Sequence, residues 1–176
     1  EYDVEAETAL AYSNAAIVVN SFSKYFSMTG WRVGWLVVPK ALTRTIERLA
    51  QNLYIAPATV SQVAALGAFD GIDELEEIKS RYARNRSVLL NELPAAGLTN
   101  ILPADGAFYL YADIRDLTED SAAFAQAMLR EIGVAATPGI DFDPVGGPSY
   151  LRLSYAGAEH EMNEAVRRIA TWLRSH

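Results

Sequence analysis

The sequence predicts an α/β fold in two regions, and three observations carry that reading. Two short apolar runs rich in β-branched residues, Ala16-Ile17-Val18-Val19-Asn20 and Val33 to Val38, stand close together near the start. A long helical pattern follows over residues 73 to 93, and beyond it strand-like and helix-like segments alternate to the end. The first run shows no polar alternation, which is how a strand covered on both faces reads in a parallel sheet.

The helices come next in order. Leu42, Ile46, Leu49 and Leu53 recur on one helical face. Pro57 suits a helix start, with Val60, Val63, Ala64 and Leu66 to bury. Asp73 with Glu76 has the spacing of a capping box, opening a helix that buries Leu75, Ile78, Tyr82, Leu89 and Leu93 and stops at Pro94 and Gly97. Strands are expected at Leu98–Leu102 and Ala107–Ala112, joined by the turn Pro103-Ala104-Asp105-Gly106. A helix capped by Thr118 carries Phe124, Met128 and Leu129, and short strands follow at Val134–Ala136 and Tyr150–Ser154. The last helix has Glu159 and Glu161 in its first turn and arginines late, matching the helix dipole, with Met162, Val166, Ile169 and Leu173 as its apolar stripe.

Composition narrows the function classes. Apolar residues make up 51% of the 176 and charged residues 21%, the balance of a folded chain. The net charge of −7 argues against a general nucleic-acid or anionic-membrane binder, although one phosphate could still find a local basic pocket. Without cysteine there is no disulfide, thiolate metal site or thiol nucleophile. His160 and His176 are too few for a metal cluster and read as solvated helix-end residues, so no metal is expected. No run reaches the ~18 apolar residues of a membrane span. A soluble, cytoplasmic protein is the expectation.

One loop concentrates chemistry. Lys24 lies between the first two strands, flanked by Ser21, Ser23 and Ser27, with Arg32 eight residues on. Ligands of α/β sheets gather at strand ends. Arginine offers a planar fork of donors and serine a single donor, a set that suits a phosphate dianion. A partly desolvated lysine beside a cation can act as nucleophile or base. On chemistry alone a surface loop with a chance lysine stays open.

The run Ser21-Phe22-Ser23-Lys24-Tyr25-Phe26-Ser27-Met28-Thr29-Gly30-Trp31-Arg32-Val33-Gly34-Trp35 resembles the pyridoxal-phosphate attachment signature of class I/II aminotransferases, the fold type I family. The resemblance implies that Lys24 carries pyridoxal 5'-phosphate as a Schiff base and then shuttles the proton. It makes Ser21 and Arg32 phosphate ligands, adds Ser23 beside them, and gives Gly30 and Gly34 packing and turn roles. Asn52 to Thr59 is similar to the family segment that approaches the partner subunit's active site. Asp105-Gly106-Ala107-Phe108-Tyr109 resembles the Gly-Ala-Phe-Tyr strand entry, which makes Phe108 a substrate contact. Thr137-Pro138-Gly139-Ile140-Asp141-Phe142 resembles the Pro-Gly-x-x-Phe-Gly turn, with Asp143 where glycine is usual. Tyr150-Leu151-Arg152-Leu153-Ser154-Tyr155 resembles the strand whose arginine holds the substrate α-carboxylate, here Arg152.

The fold so implied is the second half of a fold type I large domain with a mostly parallel sheet, residues 1–80, followed by the small α/β carboxy-terminal domain, residues 81–176. The activity implied is transfer of an amino group between an α-amino acid and a 2-oxo acid, in amino-acid metabolism and biosynthesis, by a homodimer at full length. The family's cofactor-ring residues and its Gly-rich phosphate cradle have no counterpart upstream of Lys24, so this chain alone is expected to hold an incomplete active site. Two other readings share the motif: a carbon–sulfur β-lyase of the same fold, and a ligand-sensing module of a transcription regulator.

Overall fold

The computed structural model describes residues 1–175, so of the two histidines His176 lies outside the described residues. It divides into two compact units: residues 5–79 form one, and Glu1–Val4 join the chain from Ser80 onward in the other.

In the unit of residues 5–79, strand β1 (Val18–Ser21) pairs with β2 (Gly34–Val37). The pairing is antiparallel, with Val18 opposite Val37 and Ser21 opposite Gly34. The α/β class holds, but the expected parallel, doubly covered strands are not what these two form. The connection explains it. Residues 22–33 contain only a single short turn of helix, Thr29–Trp31, and a parallel return needs a full crossover. A two-stranded ribbon cannot bury both its faces, and Ile17, Val19, Leu36 and Val37 are exposed. Gly34 is required by the close pairing, because a Cβ there would collide with the Asn20 carbonyl.

Three helices follow: α1 (Thr43–Leu53), α2 (Thr59–Gly67) and α3 (Ile72–Ala96). Helix α1 keeps the predicted leucine face, yet Leu49 and Leu53 are exposed. Helix α2 reverses the expected burial. Val60, Val63 and Leu66 point outward, while Ser61 and Ala65 are buried. The small face lets α2 come close to Phe22 and Met28, which with Ala65 form this unit's buried cluster. Helix α3 begins at Ile72, so Asp73 sits in its first turn rather than at the cap. Glu76 closes no capping box either, accepting instead from the Tyr25 hydroxyl (2.6 Å) and Lys79 (3.3 Å). The helix runs through Pro94 to Ala96. It closes with Leu98 N–H donating to Leu93 O at 3.0 Å and Gly97 N–H to Pro94 O at 3.2 Å, a paired C-terminal motif around a left-handed glycine.

The other unit is built on a four-stranded antiparallel sheet, in the order β3 (Asn100–Ile101), β4 (Tyr109–Asp113), β6 (Tyr150–Ser154), β5 (Thr137–Pro138). The first of these strands is shorter than expected, and the strand predicted at Val134–Ala136 forms just after it. Helix α4 (Ser121–Ile132) is capped by Asp120, whose carboxylate accepts from Ala123 N–H at 2.9 Å. Thr118 is not the cap; its hydroxyl accepts from Asp120 N–H at 3.0 Å one turn earlier. Helix α5 (Glu159–Leu173) starts with Glu161 accepting from Ala158 N–H at 2.9 Å.

Alternation sorts this sheet into two faces. Leu110, Ala112, Leu151 and Leu153 point into the core, against Leu89 and Leu93 of α3, Met128 of α4, and Val166, Ile169 and Trp172 of α5. Each fully buried leucine contributes about 1.5–3 kcal/mol relative to exposure. The opposite face carries Tyr109, Tyr111, Tyr150 and Arg152, all half-buried. Asp143, standing where glycine is usual, keeps the turn by other means: its carboxylate accepts from Val145 N–H at 2.8 Å. Among the described residues no helix is long and apolar enough to cross a membrane.

Candidate active site

The lysine loop of residues 22–33 has an apolar underside and a polar rim. Phe22 and Met28 are buried, and Phe22 meets the rings of Phe26, Trp35 and Phe69 at 4.6, 5.1 and 5.8 Å. Phe26 also reaches Phe69 at 5.4 Å. This aromatic footing fixes the loop, leaving its short polar residues on the rim. There the Ser21 and Ser23 hydroxyls are hydrogen-bonded at 2.8 Å, and Ser23 N–H donates to Ser21 Oγ at 3.0 Å. Thr29 Oγ1 donates to the Ser23 carbonyl at 2.5 Å. Tyr25, which the sequence did not single out, tethers the loop to Glu76. That bond raises the Tyr25 phenol above its ordinary range and holds the Glu76 carboxyl below its own.

Arg32 ends the loop at the same edge as Ser21, since Phe22 N–H donates to Val33 O at 3.1 Å and extends the β1–β2 ladder by one step. Its guanidinium donates to Thr29 O at 2.8 Å. Ser27 and Arg32 both adopt left-handed backbone, with φ of 54° and 52°. Such conformations cost on the order of 1 kcal/mol or more in a non-glycine residue and persist where the surroundings enforce them. Lys24 itself is exposed. That exposure differs from the partial desolvation expected of it.

The Asn52–Thr59 segment ends α1 and begins α2. Within it Ile55 has φ 67° and is 82% exposed, an outlying combination for a β-branched residue.

The carboxy-terminal unit holds the remaining predicted residues. Arg152 stands on the tyrosine-rich face of β6, opposite Tyr111 of β4 and Thr137 of β5. Phe108 is half-buried at the edge of the core, its ring meeting Tyr109 at 5.6 Å. Its backbone carbonyl accepts from Tyr155 N–H at 2.8 Å. Ala107, just before it, has φ 64°. The Ala107 carbonyl takes the Tyr2 hydroxyl at 2.7 Å and the Tyr155 hydroxyl at 3.3 Å, so this loop is tied down from two sides.

Tyr155 is fully buried, and burial pushes its phenol well above the ordinary value, with the neighbouring Tyr2 hydroxyl reinforcing the shift. The folded state therefore prefers the neutral ring. Its stabilisation is complete below about pH 10, where the unfolded ring also stays protonated, and is lost as pH rises beyond that. Chemical denaturation of wild type is expected to show stability falling above about pH 10, by at most ~1.4 kcal/mol per pH unit from this group. Tyr155→Phe should flatten that decline; an unchanged slope would assign it to other tyrosines.

Two sets of residues are thus built separately: hydroxyls, an amine and a guanidinium on the lysine loop, and a guanidinium among aromatic rings on β6. The model for "Aminotransferase class I and II" matches residues 3–169. The chain belongs to the class I and II aminotransferase family. A valine–pyruvate aminotransferase of Mycobacterium tuberculosis is 47% identical over 99% of this chain and 46% of its own length. An aspartate aminotransferase of Sulfolobus acidocaldarius is 31% identical over 92% of this chain and 42% of its own. The crystal structure of an aminotransferase from Mycobacterium tuberculosis superposes with a TM-score of 0.95 at 47% identity, covering 98% of this chain and 45% of that one. The chain spans about half the length of the relatives it matches.

Proposed function

We propose that the full-length protein is a pyridoxal-phosphate-dependent aminotransferase, with Lys24 as its catalytic lysine. The observation that supports this reading is the lysine loop: on a buried aromatic footing, the hydrogen-bonded Ser21 and Ser23 precede an exposed Lys24, and a left-handed Arg32 closes the loop. That donor set fits the group. Hydroxyls and a guanidinium answer a phosphate dianion, and a primary amine answers the aldehyde. When bound, the cofactor supplies an electron sink for the carbanion left at the substrate Cα. Lys24 Nζ would be the amine that holds the cofactor and the base that moves the Cα proton. Ser21, Ser23 and Arg32 hold the phosphate. Arg152 takes the α-carboxylate of the amino acid and of the 2-oxo acid, and Phe108 lines the substrate's side.

In this proposal residues 1–80 are part of the large domain and residues 81–176 the small domain. The whole protein acts as a cytoplasmic homodimer in amino-acid metabolism. Support for the dimer comes from the apolar surface at α1 and α2, where Leu53, Ile55, Val60, Val63 and Leu66 are between 64% and 82% exposed. Patches of that kind on a folded protein mark surfaces that meet another surface.

Product analysis of the full-length protein tests the activity. With valine and pyruvate, the pair in the name of the Mycobacterium tuberculosis relative, the expected products are alanine and the branched oxo acid in equal amounts. Pyruvate, ammonia and a thiol from a cystathionine-like substrate would instead establish a β-lyase.

A further inference from the structure

The surroundings of Arg152 differ from those of the ion-paired arginines in the same unit. Arg86, Arg115, Arg167 and Arg168 each pair with a carboxylate at Asp3, Asp113 or Glu164. Among the described residues no carboxylate pairs with Arg152. Its Cζ lies 4.7 Å from the centre of the Phe142 ring and 5.2 Å from that of Tyr109. Nη2 donates to Thr137 Oγ1 at 3.2 Å, and Nε is buried with no hydrogen-bond partner among the described residues. The side chain is therefore held by ring faces and one neutral hydroxyl. Its charge is not neutralised, and a buried donor is left over, which is how a site for an external anion is expected to look.

Phe142 reaches that position through backbone contacts. The residue is 54% exposed, so burial in the core does not account for where its ring sits. The turn before it, Gly139–Asp141, packs on the loop at Gly147. A Cβ on Gly139 would fall 2.5 Å from Gly147 O and 2.6 Å from the Tyr111 hydroxyl. Phe142 N–H and Asp143 N–H both donate to Gly139 O, at 2.9 and 3.0 Å, and Gly147 N–H donates to Asp143 O at 2.9 Å. Two glycines thus allow a backbone-on-backbone contact that sets the ring over the guanidinium.

We infer that Phe142 and Tyr109 are positioning residues, which hold the Arg152 guanidinium in the orientation that receives a substrate carboxylate without competing for its charge. The inference rests on the reading of Arg152 as the carboxylate anchor. A ring face attracts the cation through its quadrupole and supplies no anion, so it restrains the side chain while leaving the in-plane N–H groups for the ligand. Amino donor and oxo acceptor both carry an α-carboxylate, and weakening the restraint must weaken both alike.

The test uses the full-length holoenzyme. Phe142→Leu is expected to raise KM for amino acid and oxo acid by the same factor, about tenfold, with kcat held within about twofold. Calorimetric titration with isovalerate, a carboxylate that lacks an amino group and cannot react, should weaken by that factor too. Phe142→Tyr, which restores a ring, should return both to near wild type. Tyr109→Leu provides a second variant should the first fail to fold, with the same expected pattern. Unchanged KM and isovalerate affinity in the leucine variants, with both impaired in Arg152→Ala, would overturn the positioning role and leave the anchor standing. No loss in Arg152→Ala itself would overturn the reading beneath it.

Discussion

Lys24→Ala in the full-length protein is expected to lower kcat by about 10³-fold or more while leaving the protein folded. The size follows from what the amine is asked to do. A positioned acid–base group contributes about 10² to 10⁴ in rate, and losing the attachment point for the cofactor adds to that. Folding should survive because Lys24 is exposed and the loop is anchored elsewhere, by Phe22 and Met28 beneath it and by the Tyr25–Glu76 bond. Thermal melting therefore separates loss of chemistry from loss of structure. A direct chemical readout is borohydride reduction in the presence of pyridoxal phosphate followed by peptide mapping. Label is expected on the peptide carrying Lys24 and should vanish from the alanine variant. Sustained transamination by Lys24→Ala, or label on Lys40 or Lys79 instead, would remove Lys24 from its role.

The lysine loop was legible in the sequence because its chemistry is contiguous: Ser21, Ser23, Lys24 and Arg32 fall within twelve residues. What surrounds Arg152 was not. Phe142, Thr137 and Tyr109 are distant from it along the chain; strand pairing brings in Tyr109 and Thr137, and the Gly139–Gly147 backbone contact brings in Phe142, so spacing could not associate them. A usable signal existed. Once β4 and β6 are paired antiparallel with Tyr111 opposite Arg152, alternation puts Tyr109, Tyr111, Tyr150 and Arg152 on one face.

Element types were legible where periodicity is long, as in α3 and α5, and less so where one residue decides a boundary. Thr118 and Asp120 can both cap a helix, and local pattern does not rank them. The structure uses the aspartate on Ala123 N–H and spends the threonine on the turn before it. Helix α2 failed for another reason. Counting apolar residues favoured Val60, Val63 and Leu66, but a helix lying against two large side chains, Phe22 and Met28, needs its small face inward. The same preference for reading apolar as buried misjudged β1 and β2. Their burial pattern belongs to a sheet with more layers than two strands can form, and in this chain Val19 remains 74% exposed.

Arg152→Ala is expected to raise KM for both the amino donor and the oxo acceptor about 10²-fold, with a much smaller change in kcat. Removing one partner of a charged, hydrogen-bonded pair that is shielded from water costs about 2–5 kcal/mol, and about 1.4 kcal/mol corresponds to each factor of ten. The loss belongs to ground state and transition state alike, because the carboxylate is bound before and during proton transfer, and such uniform binding shows in KM. Arg152→Lys sharpens the prediction. The ammonium keeps the charge but loses the planar fork and its fit against the Tyr109 and Phe142 rings, so it should recover only part of the affinity, leaving KM about tenfold above wild type. Stability is expected to change little in either variant. The core side of β6 is carried by Leu151 and Leu153, while Arg152 stands on the opposite face and donates to a neutral threonine hydroxyl. Steady-state kinetics on both substrates, with melting temperature as the control, decide the matter: an unchanged KM in Arg152→Ala, or a lysine variant equal to wild type, would show that a forked guanidinium is not what holds the carboxylate.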